Sequence, residues 1–175
     1  FRHSLRRARK RRLKGIMNNP LKYLGYSIVF QEVPDEVSLA INISGCPHKC
    51  EGCHSQYLWE YKGEYLLDDI KKLLSLYKGM ITCVCFMGGD QNPYDLINCF
   101  KRVKEKGLKI CLYSGVDDLS ILIHRNIAQH CDYVKTGRYD YKLGGLDNPN
   151  TNQRFWQNKD GCFEDITERF YSKAR

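Results

Sequence analysis

Short apolar segments alternate with segments of helical periodicity between residues 37 and 135, and this alternation constrains the fold most. Residues 37–43 carry an apolar side chain at every second position, as a half-buried strand does. Residues 66–78 instead place apolar side chains on one helical face, with Gly79 positioned to end the helix. The predicted strands are 23–30, 37–44, 81–86, 108–113 and 131–135, and the predicted helices are 54–61, 66–78, 93–107 and 117–129. This order predicts βαβ units and a parallel sheet.

The chain length limits how many βα units can form. The chain has 175 residues, which suits one domain with a substantial core. About four or five βα units fit, whereas a closed barrel of eight units takes about 250 residues. We therefore predict an α/β fold that forms a partial, laterally open (β/α) barrel with mostly parallel strands. Residues 136–160 are rich in Gly, Asn and Asp and are predicted to be a loop region.

Basic residues are concentrated at the start of the chain. The net charge is +8, and residues 1–16 carry eight Lys or Arg and no acid. From Met17 onward 20 basic residues balance 20 acidic ones, so this part lacks the clustered charge of a nucleic-acid-binding face. We interpret residues 1–16 as a tail that is disordered or not native, and residues 17–175 as a single domain. A nucleic-acid arm and an Arg-rich presequence are the alternative interpretations of the tail.

The sequence contains nine cysteines but no sign of export. No apolar run approaches the roughly 20 residues that a transmembrane helix needs. We predict a cytoplasmic protein that contacts neither membrane nor nucleic acid. Thiols stay reduced in that compartment, so a disulfide framework is not expected. The cysteines are therefore candidates for metal ligands, nucleophiles or small core residues.

Three of the cysteines fall in one short loop after the second predicted strand. Cys46, Cys50 and Cys53 have the spacing C-x₃-C-x₂-C. Iron–sulfur clusters are held by cysteine thiolates, usually four, so three ligands without a fourth nearby leave one iron open to bind a substrate. Structural zinc with His54 as fourth ligand is an alternative, although adjacent Cys53 and His54 fit tetrahedral coordination poorly. A set of free surface thiols is a third interpretation.

A glycine-rich turn, Gly88-Gly89-Asp90, follows the next predicted strand. Parallel strands deliver their carboxyl ends to one edge of the sheet, where α/β folds bind their ligands. Paired glycines let the backbone approach a ligand closely, and the carboxylate of Asp90 can receive an ammonium group. The tripeptide alone also makes ordinary turns. Its position one βα unit after the cysteine loop favours a shared site.

Together these motifs resemble the radical S-adenosylmethionine superfamily. Within it, residues 46–53 are similar to the activating proteins of anaerobic ribonucleoside-triphosphate reductase, as are residues 112–115, 135–139 and 151–154. The resemblance covers most of residues 37–156 and implies that the partial barrel is of the radical S-adenosylmethionine type. Two differences stand out: His54 replaces the Tyr frequent in that subgroup, and Gln91 and Asn92 separate Asp90 from the following proline.

The resemblance implies an oxidoreductase that uses a [4Fe–4S] cluster and S-adenosylmethionine. Cys46, Cys50 and Cys53 would hold the cluster, and its fourth iron would chelate S-adenosylmethionine. An electron from a donor such as flavodoxin or ferredoxin would then split the cofactor into methionine and a 5′-deoxyadenosyl radical. That radical would take a hydrogen atom from a glycine of the reductase large subunit and leave a glycyl radical there. No side chain is assigned a catalytic acid or base role, because the cofactor carries the chemistry.

The resemblance also implies which residues contact S-adenosylmethionine. The implied contacts are Gly88, Gly89 and Asp90 with the methionine part, Gly52, Cys53 and His54 with the adenine, and Ser114 with the ribose. Other functions stay open at this stage. They are activation of another glycyl radical enzyme, modification of a peptide by a radical enzyme, and a non-catalytic module that carries a cluster or zinc.

Several further residues have two interpretations each. His48 lies inside the cysteine loop, where it is either a hydrogen-bond donor that tunes the cluster or a solvated loop residue. Trp59 and Trp156 are candidates for a surface that contacts a partner. The remaining strand cysteines, Cys83, Cys85, Cys111 and Cys131, are either ligands of a second cluster or small buried side chains.

Overall fold

A computed structural model describes residues 19–173, and the prediction for residues 1–16 lies outside them. The fold is mixed α/β, as predicted, with one eight-stranded sheet and three α-helices in the described part of the chain. The elements are β1 (Lys22–Val29), β2 (Ser38–Ile43), β3 (Glu64–Tyr65), α1 (Leu66–Leu76), β4 (Cys83–Met87), α2 (Pro93–Lys104), β5 (Lys109–Tyr113), α3 (Leu119–His124), β6 (Tyr133–Thr136), β7 (Arg154–Lys159) and β8 (Cys162–Asp165). Short 3₁₀ segments lie at Gln56–Leu58, Ala128–His130 and Thr167–Lys173.

The sheet is parallel in its centre and antiparallel at both sides. Its strand order is β3-β1-β2-β4-β5-β6-β7-β8, so β3 and β8 form its two edges. The pairs β2–β4, β4–β5 and β5–β6 are parallel, whereas the four outer pairs are antiparallel. The prediction of mostly parallel strands is therefore correct for the centre and wrong for the flanks. Helical crossovers connect the central strands, whereas a loop over residues 30–37 connects β1 to β2 and a two-residue turn connects β7 to β8. Connections as short as that turn are possible only between antiparallel strands.

The antiparallel hairpin of β7 and β8 corrects the prediction of a loop over residues 136–160. Its strands are joined by Asp160 and Gly161, which both have positive φ, 53° and 91°. Two central residues of positive φ form the turn that best matches the twist of paired strands, and Asp-Gly is a strong sequence signal for it. The glycine-rich composition of the preceding residues obscured this signal.

Helix α3 is much shorter than the predicted helix over residues 117–129. Asn126 adopts a left-handed conformation with φ 56°, which ends the helix. The Asn126 and Ile127 amides donate to the carbonyl oxygens of Ile123 and Leu122, both at 2.9 Å, in the pattern of a Schellman motif. The predicted helix over residues 54–61 is likewise only the 3₁₀ segment Gln56–Leu58. Helix α2 begins as predicted, because the Asn92 side chain accepts a hydrogen bond from the Asp95 amide at 3.1 Å.

The two faces of the sheet are buried by different parts of the chain. One face packs against the apolar sides of all three helices and forms the larger core. The opposite face carries Cys83, Cys85 and Cys111, which pack with Tyr133 and Phe155 in a second core. Strand side chains alternate between the two faces, which separates these cysteines from the helices. Within residues 19–173, no helix combines the length and apolar character needed to cross a bilayer.

Candidate iron–sulfur site

The functional motifs meet at the edge of the sheet that the carboxyl ends of its central strands form, because these four strands are parallel. Strands β2, β4, β5 and β6 all end at this edge. Each is followed by a segment that the sequence singled out: the cysteine loop after β2, residues 88–90 after β4, Ser114 after β5, and Gly137 after β6. The prediction that the cysteine loop and the Gly-Gly-Asp turn share one sheet edge is confirmed.

A cavity of about 200 Å³ lies at this edge. Its lining includes Cys46, Cys50, Cys53, Gly88, Gly89, Asp90 and Ser114, together with His48, Trp59, Gly115, Lys135, Gly137 and Tyr139. Gly52 and His54, which the resemblance assigns to adenine, are not among the lining residues. Instead, Gly52 packs against Tyr141, and the His54 ring lies 5.3 Å from that of Tyr139. Their contact with adenine stays a prediction.

The cysteine loop folds back on itself through turns at three positions. Gly45, Lys49 and Gly52 all have positive φ, at 77°, 46° and 73°. The Cys53 amide donates to the Cys50 carbonyl oxygen at 3.2 Å, which closes the C-x₂-C segment. The Cys46 amide donates to the Leu58 carbonyl oxygen at 3.0 Å. These bonds hold the three thiols along one wall of the cavity.

The three loop cysteines differ from the other six in their exposure. Cys46, Cys50 and Cys53 are half-buried, Cys162 is exposed, and the remaining five are buried. The five buried cysteines are therefore in an environment different from that of the loop cysteines. Burial raises the pKa of Cys83, Cys111 and Cys131 well above the ordinary value and raises that of Cys99 to about 12. Deeply buried thiols of this kind behave as small apolar side chains.

The donor set fits an iron–sulfur cluster. The three thiols line one cavity, and none of the other six cysteines lines it. A cubane cluster places each thiolate on a different iron, so its sulfur ligands need not converge on one point. Within residues 19–173, no group of three or more His, Cys, Asp or Glu is arranged to hold a single metal ion. The Ser55 amide already donates to the Cys53 sulfur at 3.4 Å, the kind of contact that stabilises thiolate ligands.

The Gly-Gly-Asp turn has a backbone that requires glycine. Gly88 and Gly89 have φ of 101° and 107°, and the Gly88 amide donates to the Tyr113 carbonyl oxygen at 2.9 Å. A Cβ on Gly89 would lie 2.9 Å from Ile43 Cδ1, whereas one on Gly88 would meet nothing closer than 3.9 Å. Gly89 therefore allows close packing, and Gly88 keeps the cavity wall free of a side chain.

Asp90 is 6% exposed and lies beside the side chain of Arg125, which directly follows α3. Its Oδ2 atom is 3.6 Å from Arg125 Nη1. The two residues that separate Asp90 from Pro93 have structural roles. The side-chain oxygen of Gln91 accepts a hydrogen bond from the Gly89 amide at 3.1 Å, and Asn92 caps α2. These two residues thus stabilise the turn, and Asp90 lines the cavity.

Ser114 and Lys135 are tied together at the ends of β5 and β6. The Ser114 amide donates to the Lys135 carbonyl oxygen at 2.9 Å, and the Ser114 hydroxyl oxygen accepts from the Val116 amide at 3.1 Å. Lys135 is 8% exposed, and its ammonium donates to the Gly137 carbonyl oxygen at 2.6 Å. Both side chains therefore have fixed positions at the cavity.

Lys135 brings a buried amine close to the cysteine thiols. Burial lowers its pKa to about 8, and the neighbouring Cys50, Asp117, Cys46 and Cys53 partly oppose that shift. A buried ammonium at this position offsets negative charge in the cavity. Sequence reasoning noted residues 135–139 only as a similar segment and gave Lys135 no role.

His48 is held by close contact with a glycine. A Cβ on Gly115 would lie 2.5 Å from His48 Cδ2 and 2.8 Å from Nε2, so the imidazole packs directly on the Gly115 backbone. Burial lowers the pKa of His48 below its ordinary value, with smaller opposing effects from neighbouring charges, so the neutral ring is favoured. The Nε2 atom is buried and has no hydrogen-bond partner among the described residues.

Gly115→Ala is therefore expected to displace His48 and distort the cysteine loop. The substituted protein should lose about 1–3 kcal/mol of unfolding free energy, as overpacked sites do, and should bind less iron on reconstitution. Denaturant unfolding of the cluster-free protein and iron analysis would measure these effects. Gly25→Ala is the matched control, because a Cβ there meets nothing within 4 Å and its φ is not positive. Equal effects of the two substitutions would contradict the packing described for His48.

A second, polar cavity of about 440 Å³ adjoins the first. His48, Cys50 and Tyr139 line both. The polar cavity also includes exposed residues, among them Arg138 and Tyr141, so it opens at the surface. A surface opening therefore leads to the residues beside the cysteine loop.

Trp59 has a position in the site that the sequence alone does not predict. It was a candidate for a partner surface, but it lines the cavity of the three cysteines. Its position follows from the hydrogen bond between Cys46 and Leu58, which brings the end of the loop back to its beginning. No local sequence signal reports this contact. Trp156 donates instead to the Thr136 hydroxyl at 3.0 Å.

The comparisons with known proteins agree with this site. Residues 37–159 match the family described as 4Fe-4S single cluster domain, and the matched range includes all three loop cysteines. The fold and the cysteine-lined cavity thus define a single-cluster iron–sulfur protein. The chain is also 30% identical over 135 residues to the anaerobic ribonucleoside-triphosphate reductase-activating protein of Enterobacteria phage T4, covering 70% of this chain and 85% of the phage protein. It belongs to the family of anaerobic ribonucleoside-triphosphate reductase-activating proteins. No solved structure matches the chain significantly.

Proposed function

We propose that this protein is a radical S-adenosylmethionine oxidoreductase that generates a glycyl radical on the large subunit of anaerobic ribonucleoside-triphosphate reductase. The observation that carries the proposal is the single cavity at the ends of β2, β4, β5 and β6. Three thiols, a Gly-Gly-Asp turn and a serine line it together. The phage relative, whose name states the activation of this reductase, supports the choice of partner.

In the proposed site, Cys46, Cys50 and Cys53 bind a [4Fe–4S] cluster and leave one iron without a protein ligand. Asp90 provides a buried carboxylate for the ammonium group of S-adenosylmethionine. Gly88 provides a wall without a side chain, so the cofactor can contact the backbone. Gly89 and Ser114 complete this part of the lining, and Gly52 and His54 remain the proposed neighbours of the adenine.

The protein residues orient the cofactors and exclude water, and none acts as an acid or a base. When bound, the cluster would supply the electron for reductive cleavage of S-adenosylmethionine, and the resulting radical chemistry would remove a hydrogen atom from a glycine of the reductase. A flavodoxin or ferredoxin in the cytoplasm would provide the electron. Lys135 would keep a positive charge close to the thiolates throughout.

The open sheet suits a substrate that is part of another protein. We interpret it as a partial (β/α) barrel with one side open. The polar cavity beside the cysteine loop reaches the surface at exposed Arg138 and Tyr141. A loop of the reductase can therefore approach through it, whereas a small-molecule enzyme would be expected to enclose its substrate.

A zinc module is less consistent with the site. Such a module would need His54 as the fourth ligand beside Cys53. His54 is exposed, packs on Tyr139 and does not line the cavity of the three cysteines. The donor set in the cavity is therefore three thiols, which suits iron–sulfur chemistry better than a closed tetrahedral zinc site.

Anaerobic reconstitution with iron and sulfide tests the proposed function. The expected product is a brown protein that forms 5′-deoxyadenosine and methionine when it is reduced with dithionite in the presence of S-adenosylmethionine. Addition of the reductase large subunit should then yield a glycyl doublet in the electron paramagnetic resonance spectrum. A reductase variant with Ala in place of the radical-bearing glycine is the control and should give no doublet.

The outcomes separate the alternatives. A protein that releases 5′-deoxyadenosine but forms no radical on the reductase would indicate another glycyl radical enzyme or a peptide as substrate. A brown protein that releases none would be a non-catalytic cluster carrier. A colourless protein that retains zinc would contradict the proposal at its first step.

A further inference from the structure

Two buried side-chain nitrogen atoms in the site have no hydrogen-bond partner among residues 19–173. Within residues 19–173, three buried side-chain nitrogen or oxygen atoms lack a hydrogen bond: Ser38 Oγ, His48 Nε2 and Trp59 Nε1. His48 and Trp59 both line the cavity of the three cysteines. An unsatisfied buried polar atom destabilises a native fold, so its occurrence calls for an explanation. Two of them in one cavity indicate a bound group that accepts hydrogen bonds.

Trp59 gives the stronger evidence, because an indole nitrogen can only donate. Its backbone is fixed by hydrogen bonds on both sides. The Trp59 amide donates to the Gln56 carbonyl oxygen at 3.0 Å, and the Leu58 carbonyl oxygen before it accepts from the Cys46 amide at 3.0 Å. The Trp59 backbone therefore follows directly on Leu58, which is bonded to the first cysteine of the loop. Because Trp59 lines the cavity, a group bound there is the candidate acceptor for its N–H.

His48 is fixed in a different way. It lies between Cys46 and Cys50 in the sequence, and its ring packs on Gly115, which has no side chain to displace it. The contact immobilises the imidazole while leaving Nε2 buried and unpaired. The two donors therefore reach the same cavity from different parts of the cysteine loop.

The location of both donors identifies the acceptor. Both lie on the segment from Gly45 to Trp59, which carries all three thiols, and neither lies on the turn after β4. Thiolate and inorganic sulfide carry negative charge and accept charge-assisted hydrogen bonds. Sulfur already accepts from the protein in this loop, at the contact between the Ser55 amide and Cys53.

We infer that Trp59 Nε1 and His48 Nε2 donate hydrogen bonds to sulfur atoms of the bound cluster and raise its reduction potential. The inference rests on the proposed function, because it requires the cluster. Reduction adds one negative charge to the cluster, and hydrogen bonds to its sulfurs stabilise that charge. Loss of a donor should consequently make the cluster harder to reduce.

Redox titration of the reconstituted protein without S-adenosylmethionine tests the inference. Trp59→Phe and His48→Phe should each lower the reduced-to-oxidised ratio by up to about tenfold at a fixed potential, which corresponds to 59 mV for one electron. His48→Gln, which keeps an amide donor, should recover part of the loss. Trp156→Phe and His124→Phe are the matched controls and should leave the potential unchanged, because neither residue lines the cavity.

Pulsed electron paramagnetic resonance of the reduced wild-type protein gives a test that needs no variant to fold. With ¹⁵N-labelled tryptophan, a weak nitrogen coupling to the cluster should be present in the wild type and in Trp156→Phe, and absent in Trp59→Phe. Labelled histidine should give the corresponding result for His48.

The possible failures are distinguishable. If the wild type binds no cluster, the proposed function fails first. If it binds a normal cluster but shows no nitrogen coupling, and the two Phe variants have the wild-type potential, the inference is wrong and the proposed function stands. A shift that occurs only after addition of S-adenosylmethionine would assign the acceptor to that cofactor and overturn the inference.

Discussion

Iron bound after anaerobic reconstitution is expected to fall from about four atoms per chain to near zero when Cys46, Cys50 or Cys53 is replaced by Ala. Each thiol is one of three that line the cavity, and none of the other six cysteines lines it to compensate. Formation of 5′-deoxyadenosine should fall at least about a hundredfold, since the chemistry belongs to the cofactor. Iron and sulfide analysis with the visible absorption spectrum would measure the first effect.

Cys162→Ala is the control for these three substitutions. Cys162 is exposed on β8 and belongs neither to the cavity nor to a core cluster, so its replacement should leave iron content unchanged. A buried cysteine such as Cys85 would be a poorer control, because its loss also leaves a hole in the core. Retention of about four irons in any of the three loop variants would refute the ligand assignment.

Gly137→Ala is expected to have the largest effect on folding stability among the cavity-lining glycines. Gly137 has φ 93°, and a Cβ there would lie 2.9 Å from Gln153 Cα and 3.0 Å from the Asn152 carbonyl oxygen. Both contacts are with backbone, so no side chain can move aside. Unfolding free energy should fall by roughly 2–4 kcal/mol, from backbone strain together with the clash. Denaturant titration of the cluster-free protein would measure it.

Gly107→Ala is the control that introduces backbone strain without a steric clash. Gly107 also has positive φ, 69°, but a Cβ there meets nothing within 4 Å. Its replacement should cost only about 1–2 kcal/mol. Gly137→Ala should also reduce cluster loading, because the Gly137 carbonyl oxygen accepts the hydrogen bond of the Lys135 ammonium. Identical losses of stability in the two variants would contradict the close approach of residues 137 and 152–153.

The parts of the fold that follow from local sequence were predictable. Strand β2 and helix α2 lie within one or two residues of their predicted beginnings, because alternation and the Asn92 cap act locally. Strand β1 also lies within one residue of its predicted range, but the other flanking strands were not predictable from periodicity alone. The short strand β3 has two residues, and the hairpin of β7 and β8 lies partly in a stretch whose composition is typical of loops. Its signal, Asp160-Gly161, was present but was outweighed by that composition.

In the candidate site, too, the local motifs were predictable and the contacts between distant segments were not. The cysteine spacing and the Gly-Gly-Asp turn are local motifs, and the parallel strands bring them to one edge. Trp59 and Lys135 reach the cavity through contacts between distant segments, which no spacing rule reports. Trp59 depends on the bond from Cys46 to Leu58, and Lys135 depends on the pairing of β6 with β5. The positions of Trp59 and Lys135 in the cavity lining are therefore determined by tertiary contacts and not by local motifs.

The most direct test of the central claim is the Mössbauer spectrum of protein reconstituted with ⁵⁷Fe, recorded with and without S-adenosylmethionine. Three thiolate ligands on a [4Fe–4S] cluster leave one iron distinct from the others. We predict that the signal of that single iron changes when S-adenosylmethionine is added and that the other three stay the same. A four-iron spectrum that S-adenosylmethionine leaves unchanged would contradict the claim that an open iron binds this cofactor.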